Sequence, residues 1–312
     1  MFKSLRFAKY RFCLLFKEGF SVPRFAGSML RGAFGMVLRK VLCISNQRVC
    51  NNCILLHTCV FAYLFESRVP DGSNSFKTFD EIPRPFIFEP PLNSEESSRR
   101  FDFGLILVGK AIDYLPYFIF AFKELEKRGL GRNRSKFFLE KVVSVGEKGE
   151  SKFVYSGEEQ IVYDTGFLFG KEAILNRADQ LSNEEITLEF LTPTRIKFEG
   201  KLTNQVQFHN IIRALLRRIS LLCYFHCGVK LDLDYKGIIE QAKKVEYIHS
   251  ELHWAEQARY SGRQKNLLKM GGLVGKARFR GELQQFLPLL AAGEWLHVGK
   301  GSVMGLGKYV IK

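Results

Sequence analysis

Along this chain, apolar positions alternate between the two-residue period of strands and the 3.6-residue period of helices. Leu5 to Lys17 is apolar and aromatic, is interrupted by Lys and Arg and closes at Gly19, which predicts a strand. Pro23 then opens a helix whose apolar positions Ala26, Leu30, Ala33, Val37 and Val41 follow the helical period. Arg24, Ser28, Arg31, Gly35 and Arg39 fall on another side. That side is small and basic. It suits either close approach of a phosphate backbone or a solvated face whose glycines permit tight packing.

A cysteine-containing segment follows, and then a Pro- and Ser-rich passage from Val69 to Arg100 that reads as loop with one short strand around Phe86 to Phe88. Phe101 to Gly109 predicts a strand, Tyr114 to Arg128 a helix, and Phe137 to Asp164 two or three strands turning at Gly146, Gly149 and Gly157. A second unit starts near Ile186, with a strand from Ile186 to Phe198 interrupted by Pro193. Phe208 to Cys227 is the clearest helix: Phe208, Ile211, Ile212, Leu215, Leu216, Ile219 and Leu222 form its apolar stripe, and Gly228 is placed to end it. His209, Arg213 and Arg217, spaced by four, line its outer side. Beyond it the pattern predicts a helix from Ile238 to Ala258, a basic turn, a strand from Leu273 to Arg280, a short helix around Leu283 to Ala292 and a final hairpin. The order of elements predicts an α+β protein in two units, 1–185 and 186–312, each on a strand-helix-strand-strand-helix-strand plan.

Composition sharpens this picture. The 312 residues exceed the ~100 to 150 of a typical domain, and 46% hydrophobic content supplies two cores. The 47 Lys and Arg against 32 Asp and Glu give a net charge of +15, a standing attraction for a polyanion, with nucleic acid the leading candidate. No run approaches the ~18 to 20 apolar residues of a spanning helix. Lys3, Arg6, Lys9 and Arg11 break up any signal-peptide core, so a cytoplasmic protein without membrane contact is expected. In that compartment the seven cysteines are not expected to form structural disulfides.

The last 54 residues concentrate the chemistry. From Arg259 to Lys312 ten Lys and Arg face only Glu282 and Glu294. Within this stretch, Arg259, Tyr260, Arg263 and Gln264 lie in one turn and combine a phosphate clamp, a stacking ring and a base-edge donor. Gly299, Gly301, Gly305 and Gly307, spread over nine residues with Lys300 among them, form a loop whose N–H groups could converge on an anion. Neither a Walker loop nor a dinucleotide fingerprint is possible, because both require a following helix and the chain ends five residues after Gly307.

The runs Arg259-Tyr260-Ser261-Gly262-Arg263-Gln264, Gly271-Gly272-Leu273-Val274-Gly275, Phe286-Leu287-Pro288-Leu289-Leu290 and His297-Val298-Gly299-Lys300-Gly301 through Gly305-Leu306-Gly307 resemble the C-terminal domain of the Cas-six family of CRISPR endoribonucleases, in the RAMP superfamily. Weaker similarity extends to Phe225-His226-Cys227-Gly228 and to Leu30-Arg31-Gly32-Ala33-Phe34-Gly35 with Phe65-Glu66. The resemblance implies two tandem ferredoxin-like (RRM-like) domains, a cysteine-rich insertion at 43–69 in the first, and an RNA-binding glycine-rich loop at 299–307 in the second. It further implies a precursor crRNA endoribonuclease without catalytic metal, in which a 2′-OH attacks the adjacent phosphate to leave a 2′,3′-cyclic phosphate and a 5′-OH. CRISPR repeat RNA and other CRISPR effector subunits are the implied partners. The family often carries a catalytic His on or after the first helix. Here no His precedes His57, which leaves the general base unassigned.

The catalytic candidates are Arg31, His57, His297 and Lys300, with Arg24, Arg39, Arg213, Arg217, Arg259, Tyr260, Arg263, Gln264 and the four loop glycines on the RNA. His57 is open to a role as catalyst, as ligand or as neither, and His226 reads as a partly buried helix end. His249 and His253 form a helical i, i+4 pair. Cys43, Cys50, Cys53 and Cys59 have the spacing C-x6-C-x2-C-x5-C, which suits a structural Zn2+. An iron–sulfur cluster or plain packing cysteines are the alternatives.

Overall fold

A computed structural model describes residues 2–44, 50, 52–66, 82–92, 97–164, 166–261 and 266–312. The chain forms two compact units, Arg6–Leu168 with Phe225–Gly228, and Met1–Leu5 with Phe169–Tyr224 and Val229–Lys312.

The first unit runs β1 (Phe7–Phe20), α1 (Ala26–Leu42), β2 (Phe86–Glu89), β3 (Ser98–Val108), α2 (Leu115–Arg128), β4 (Phe137–Val145), β5 (Ser151–Ser156) and β6 (Ile161–Val162). Its antiparallel sheet has the order β2-β3-β1-β4-β5-β6. Alternation along β1 decides which side the helices cover: Tyr10, Phe12, Leu14 and Phe16 are buried, whereas Arg11 and Leu15 are exposed. On the covered side Phe12 opposes Phe103 of β3, with the rings stacked at 5.2 Å. Phe34 of α1 stacks on Phe118 of α2 at 4.2 Å, closing a core built largely of phenylalanine.

The second unit runs α3 (Lys171–Ala178), β7 (Glu185–Thr194), β8 (Lys197–Phe198), β9 (Lys201–Leu202), α4 (Phe208–Cys227), α5 (Tyr235–Ala242), β10 (Glu246–Ser250), β11 (His253–Ala255), β12 (Ala258–Ser261), β13 (Asn266–Lys269), β14 (Gly272–Arg280), α6 (Leu287–Leu296) and β15 (Tyr309–Ile311). Its main sheet has the order β10-β14-β7-β15. Numbering the four core strands of each unit from one to four gives the same spatial sequence, 2-3-1-4, in both. The fold is therefore two tandem ferredoxin-like units of the α+β class. All seven residues of the apolar stripe on α4 are buried. Phe208 at its start meets Phe279 of β14 and Phe286, each at 5.2 Å.

Three expectations are corrected. Ile238 to Ala258 is not one helix: α5 stops at Ala242, and Glu246–Ser250 pairs instead with β14. That edge gives Glu246, Tyr247, His249 and Ser250 a strand partner that local periodicity does not reveal. His249 and His253 consequently lie on separate strands. The last segment is not a hairpin, because Glu294 to Leu296 ends α6 while Tyr309–Ile311 pairs with β7. The short helix α3 has no counterpart among the sequence expectations. Among the described residues no helix is long and apolar enough to cross a membrane.

Candidate functional site

The glycine loop joins α6 to β15, and its glycines hold it in shape. Gly299, Gly301, Gly305 and Gly307 have φ of +84, +83, +85 and +73°, a region that side chains disfavour. At Gly307 a Cβ would also run into the Val298 carbonyl. The Lys300 N–H donates to Arg195 O at 2.8 Å, Val298 N–H to Gly307 O at 2.9 Å, Gly307 N–H to Pro193 O at 3.2 Å and Lys308 N–H to Thr192 Oγ1 at 2.9 Å. These N–H groups are thus used within the unit. The expectation that the loop's N–H groups converge on an anion is corrected to that extent. Lys300 itself is exposed.

His297 is fully buried, with φ of +59°. Its Nδ1 donates to the Leu306 carbonyl at 3.1 Å, since a carbonyl can only accept. The ring thus braces the loop from inside. Two arginines that sequence reasoning passed over also touch this region. Arg195 donates to Gly271 O at 2.6 Å, and Arg218 Nε donates to Leu296 O at 2.7 Å, at the C-terminus of α6. Burial lowers the pKa of both, that of Arg218 to about 10. Arg218 could have been noticed in the sequence, because it falls one residue before Ile219 of the buried stripe.

Arg213 and Arg217 are exposed on α4 as expected. His209 is half-buried and edge-on to Phe198, and burial, then Arg213 and Lys243, lower its pKa. Arg259 and Tyr260 lie on β12, opposite Leu268 and Leu267 of β13. Arg263 and Gln264 lie outside the described residues.

In the first unit Arg24 is exposed ahead of α1. The basic side of α1 is not an open phosphate track, because a π-helical turn, Ala62–Glu66, lies on it. Arg31 sits over the Phe65 ring and Arg39 over Phe61, each 5.3 Å from the centroid. A Cβ on Gly35 would come within 2.7 Å of Phe65, so this glycine serves packing.

Cys43, Cys50, Cys53 and Cys59 are half-buried and form no disulfide among the described residues. Burial raises the Cys50 pKa, Arg39 opposes it at 3.9 Å, and Glu66, Cys43 and Cys59 add to it. Among the described residues no three His, Cys, Asp or Glu converge as metal ligands. The spacing that suggests zinc is therefore not matched by a gathered ligand set. His57 is exposed in this segment.

His226 is buried and doubly bonded. Its Nδ1 lies 3.0 Å from the Tyr63 hydroxyl and its Nε2 2.8 Å from Pro83 O. Sequence reasoning placed the histidine but not its partners.

A family model described as an N-terminal domain, AF_1859_N, matches residues 5–166. A model for the CRISPR-associated endoribonuclease Cas6 matches residues 188–309. A protein of Archaeoglobus fulgidus, described only as uncharacterized, is 27% identical over 316 residues, which is 99% of each chain. Among solved structures, a Cas6 of Thermus thermophilus is 15% identical with a TM-score of 0.54, over 99% of each chain. A Cas6 product complex reaches a TM-score of 0.61 at 17% identity, over 98% of this chain and 100% of the other. A partial Cas6-RT-Cas1–Cas2 complex gives 0.58 at 14% identity, over 99% of this chain and 46% of the other. At these identities the structural likeness establishes the fold.

Proposed function

We propose that the chain is a member of the Cas6 family of CRISPR-associated proteins that binds CRISPR repeat RNA and cuts precursor crRNA. The observation that carries this reading is the Cas6 match over 188–309, which spans the whole glycine loop, α4, β14 and α6. In the proposed reaction a ribose 2′-OH attacks the adjacent phosphate in line, leaving a 2′,3′-cyclic phosphate and a 5′-OH without a catalytic metal. Positioning the phosphate and neutralising its developing charge supply much of the acceleration. Exposed Lys300, Arg213 and Arg217 suit the RNA backbone, and so does Arg24. Arg31 and Arg39, held over phenylalanine rings, fit a fixed electrostatic role better than a mobile clamp. His297 supports the loop from inside, with its ring fully buried and its Nδ1 on the Leu306 carbonyl.

That burial also favours a second reading, a non-catalytic RNA-binding subunit of the same superfamily. Incubation of the purified chain with repeat RNA in excess EDTA separates the two. Cleavage at one position per repeat supports the enzyme, whereas retention of intact RNA supports the binding subunit. Complexes with other CRISPR proteins, as in the Cas6-RT-Cas1–Cas2 assembly, belong to this proposal as well.

A further inference from the structure

We propose that Tyr63 and His226 form the proton-handling dyad of the cleavage site, with Lys110 and Arg6 beside them to hold the scissile phosphate. The inference rests on the endoribonuclease reading and supplies the base which that reading lacks. It starts from the tautomer. Pro83 O can only accept, so Nε2 of His226 carries the ring proton and Nδ1 presents a lone pair. The Tyr63 hydroxyl must then donate to Nδ1 across 3.0 Å. A hydroxyl aimed at a neutral imidazole that a third group orients is the arrangement that activates oxygen nucleophiles and relays protons.

The surroundings are charged and aromatic, as an RNA phosphate and base would require. Gly109, at φ +57°, abuts the His226 carbonyl so closely that any Cβ would collide with it. Its N–H donates to Arg6 O at 2.8 Å. The close approach of Gly109 to the His226 carbonyl sets the turn Gly109–Tyr114 against the end of α4. Lys110 Nζ is then 6.0 Å from the Tyr63 ring centroid and 5.9 Å from that of Tyr114. Tyr117, Tyr114, Tyr63 and His226 form a series of neighbouring rings, with successive centroids 5.9, 5.4 and 5.4 Å apart. Among the described residues Arg6, Lys110, Asp113, Tyr114 and Cys227 are titratable groups close to the dyad, and Arg6 and Lys110 are exposed. Burial, then Tyr114, Cys227 and Asp113, raise the Tyr63 pKa while Arg6 opposes them. The phenol therefore stays protonated at working pH and acts by relay rather than as a standing phenolate.

In the step itself the 2′-OH proton passes to Tyr63 Oη as the Tyr63 proton passes to His226 Nδ1. The O2′–P bond forms, the P–O5′ bond breaks, and the departing 5′-oxygen takes a proton from water. The imidazolium then returns its proton to solvent. His226 must begin neutral, so the rate should rise with pH as the imidazole loses its proton and then level off.

The test is single-turnover cleavage of repeat RNA at saturating protein, followed between about pH 5 and 8. Each variant is paired with its RNA Kd and Tm. Tyr63→Phe keeps the ring and removes only the hydroxyl. It should slow cleavage by about 100-fold or more, abolish the rising limb and leave Kd nearly unchanged. His226→Gln should do the same where it folds, and Lys110→Ala should lower both rate and affinity. If Tyr63→Phe cleaves at the parental rate, or slows while keeping the parental limb, the dyad is a structural tie and the proposal is overturned. If the parent chain binds repeat RNA without cutting it, the endoribonuclease reading itself fails and the dyad falls with it.

Discussion

The two ferredoxin-like units share one strand order, yet they secure it by different means. The first unit holds its sheet and helices together with aromatic rings, among them Phe12, Phe34, Phe88, Phe103, Phe118 and Phe122. The second relies on the aliphatic stripe of α4 and on ion pairs across the helix-free side of its sheet. There Glu185 bonds Arg278 and Arg280, and Glu189 bonds Lys312. Their chemistry also enters at different joints. In the first unit the proposed chemistry lies in the segment after α1 and the turn after β3, which hold Tyr63 and Lys110. In the second it is proposed for the glycine loop before the last strand. A repeated topology is thus a scaffold constraint, and function resides in the connections it leaves free.

The largest expected effect is in the aromatic core. Phe34→Ala should cost about 3 to 5 kcal/mol by urea unfolding, because a ring stacked on Phe118 leaves a cavity that its neighbours cannot fill. A loss under about 1 kcal/mol would show that the first unit does not depend on that stack.

The glycine comparison comes next. Gly307→Ala should cost at least about 1 to 3 kcal/mol, since it forces a positive φ and meets the Val298 carbonyl. Gly32→Ala, in α1 with nothing within 4 Å of the new methyl, should instead stabilise by about 0.5 to 1 kcal/mol. Equal effects at the two sites would remove the distinction between a loop that needs glycine and a helix that merely tolerates it.

The smallest effect concerns acid. Hydrogen bonds from Arg280 and Arg278 lower the Glu185 pKa in the folded chain. A lowered carboxyl contributes stability above its ordinary value near ~4.3 and loses it as pH falls through the folded pKa. Glu185→Gln should therefore lower Tm slightly at neutral pH, with the difference from the parent closing in acid and in high salt. A difference that widens in acid would contradict the sign.

How much of this the sequence shows follows from which interactions are local. β1 and the stripe of α4 are legible because alternation and the helical period are written into neighbouring residues. The split of Ile238 to Ala258 into α5 and three strands is not, since Glu246–Ser250 becomes a strand only when β14 pairs with it. The glycine loop is recognisable as a loop with necessary glycines, but where its N–H groups go depends on Pro193 and Arg195, a hundred positions away along the chain. His226 shows the limit most clearly. Its sequence neighbours mark a helix end, whereas its partner Tyr63 lies 163 residues earlier. The cysteine spacing illustrates the converse, a local pattern whose implied ligand set the described structure does not gather.

The central claim, a metal-independent cut by 2′-OH attack, is tested most directly by the ends it leaves. Repeat RNA incubated with the parent chain in excess EDTA, and analysed by mass spectrometry of both fragments, should give a 2′,3′-cyclic phosphate on the upstream piece and a 5′-OH on the downstream piece. A 3′-OH with a 5′-phosphate, or RNA that is bound but remains whole, would contradict the account.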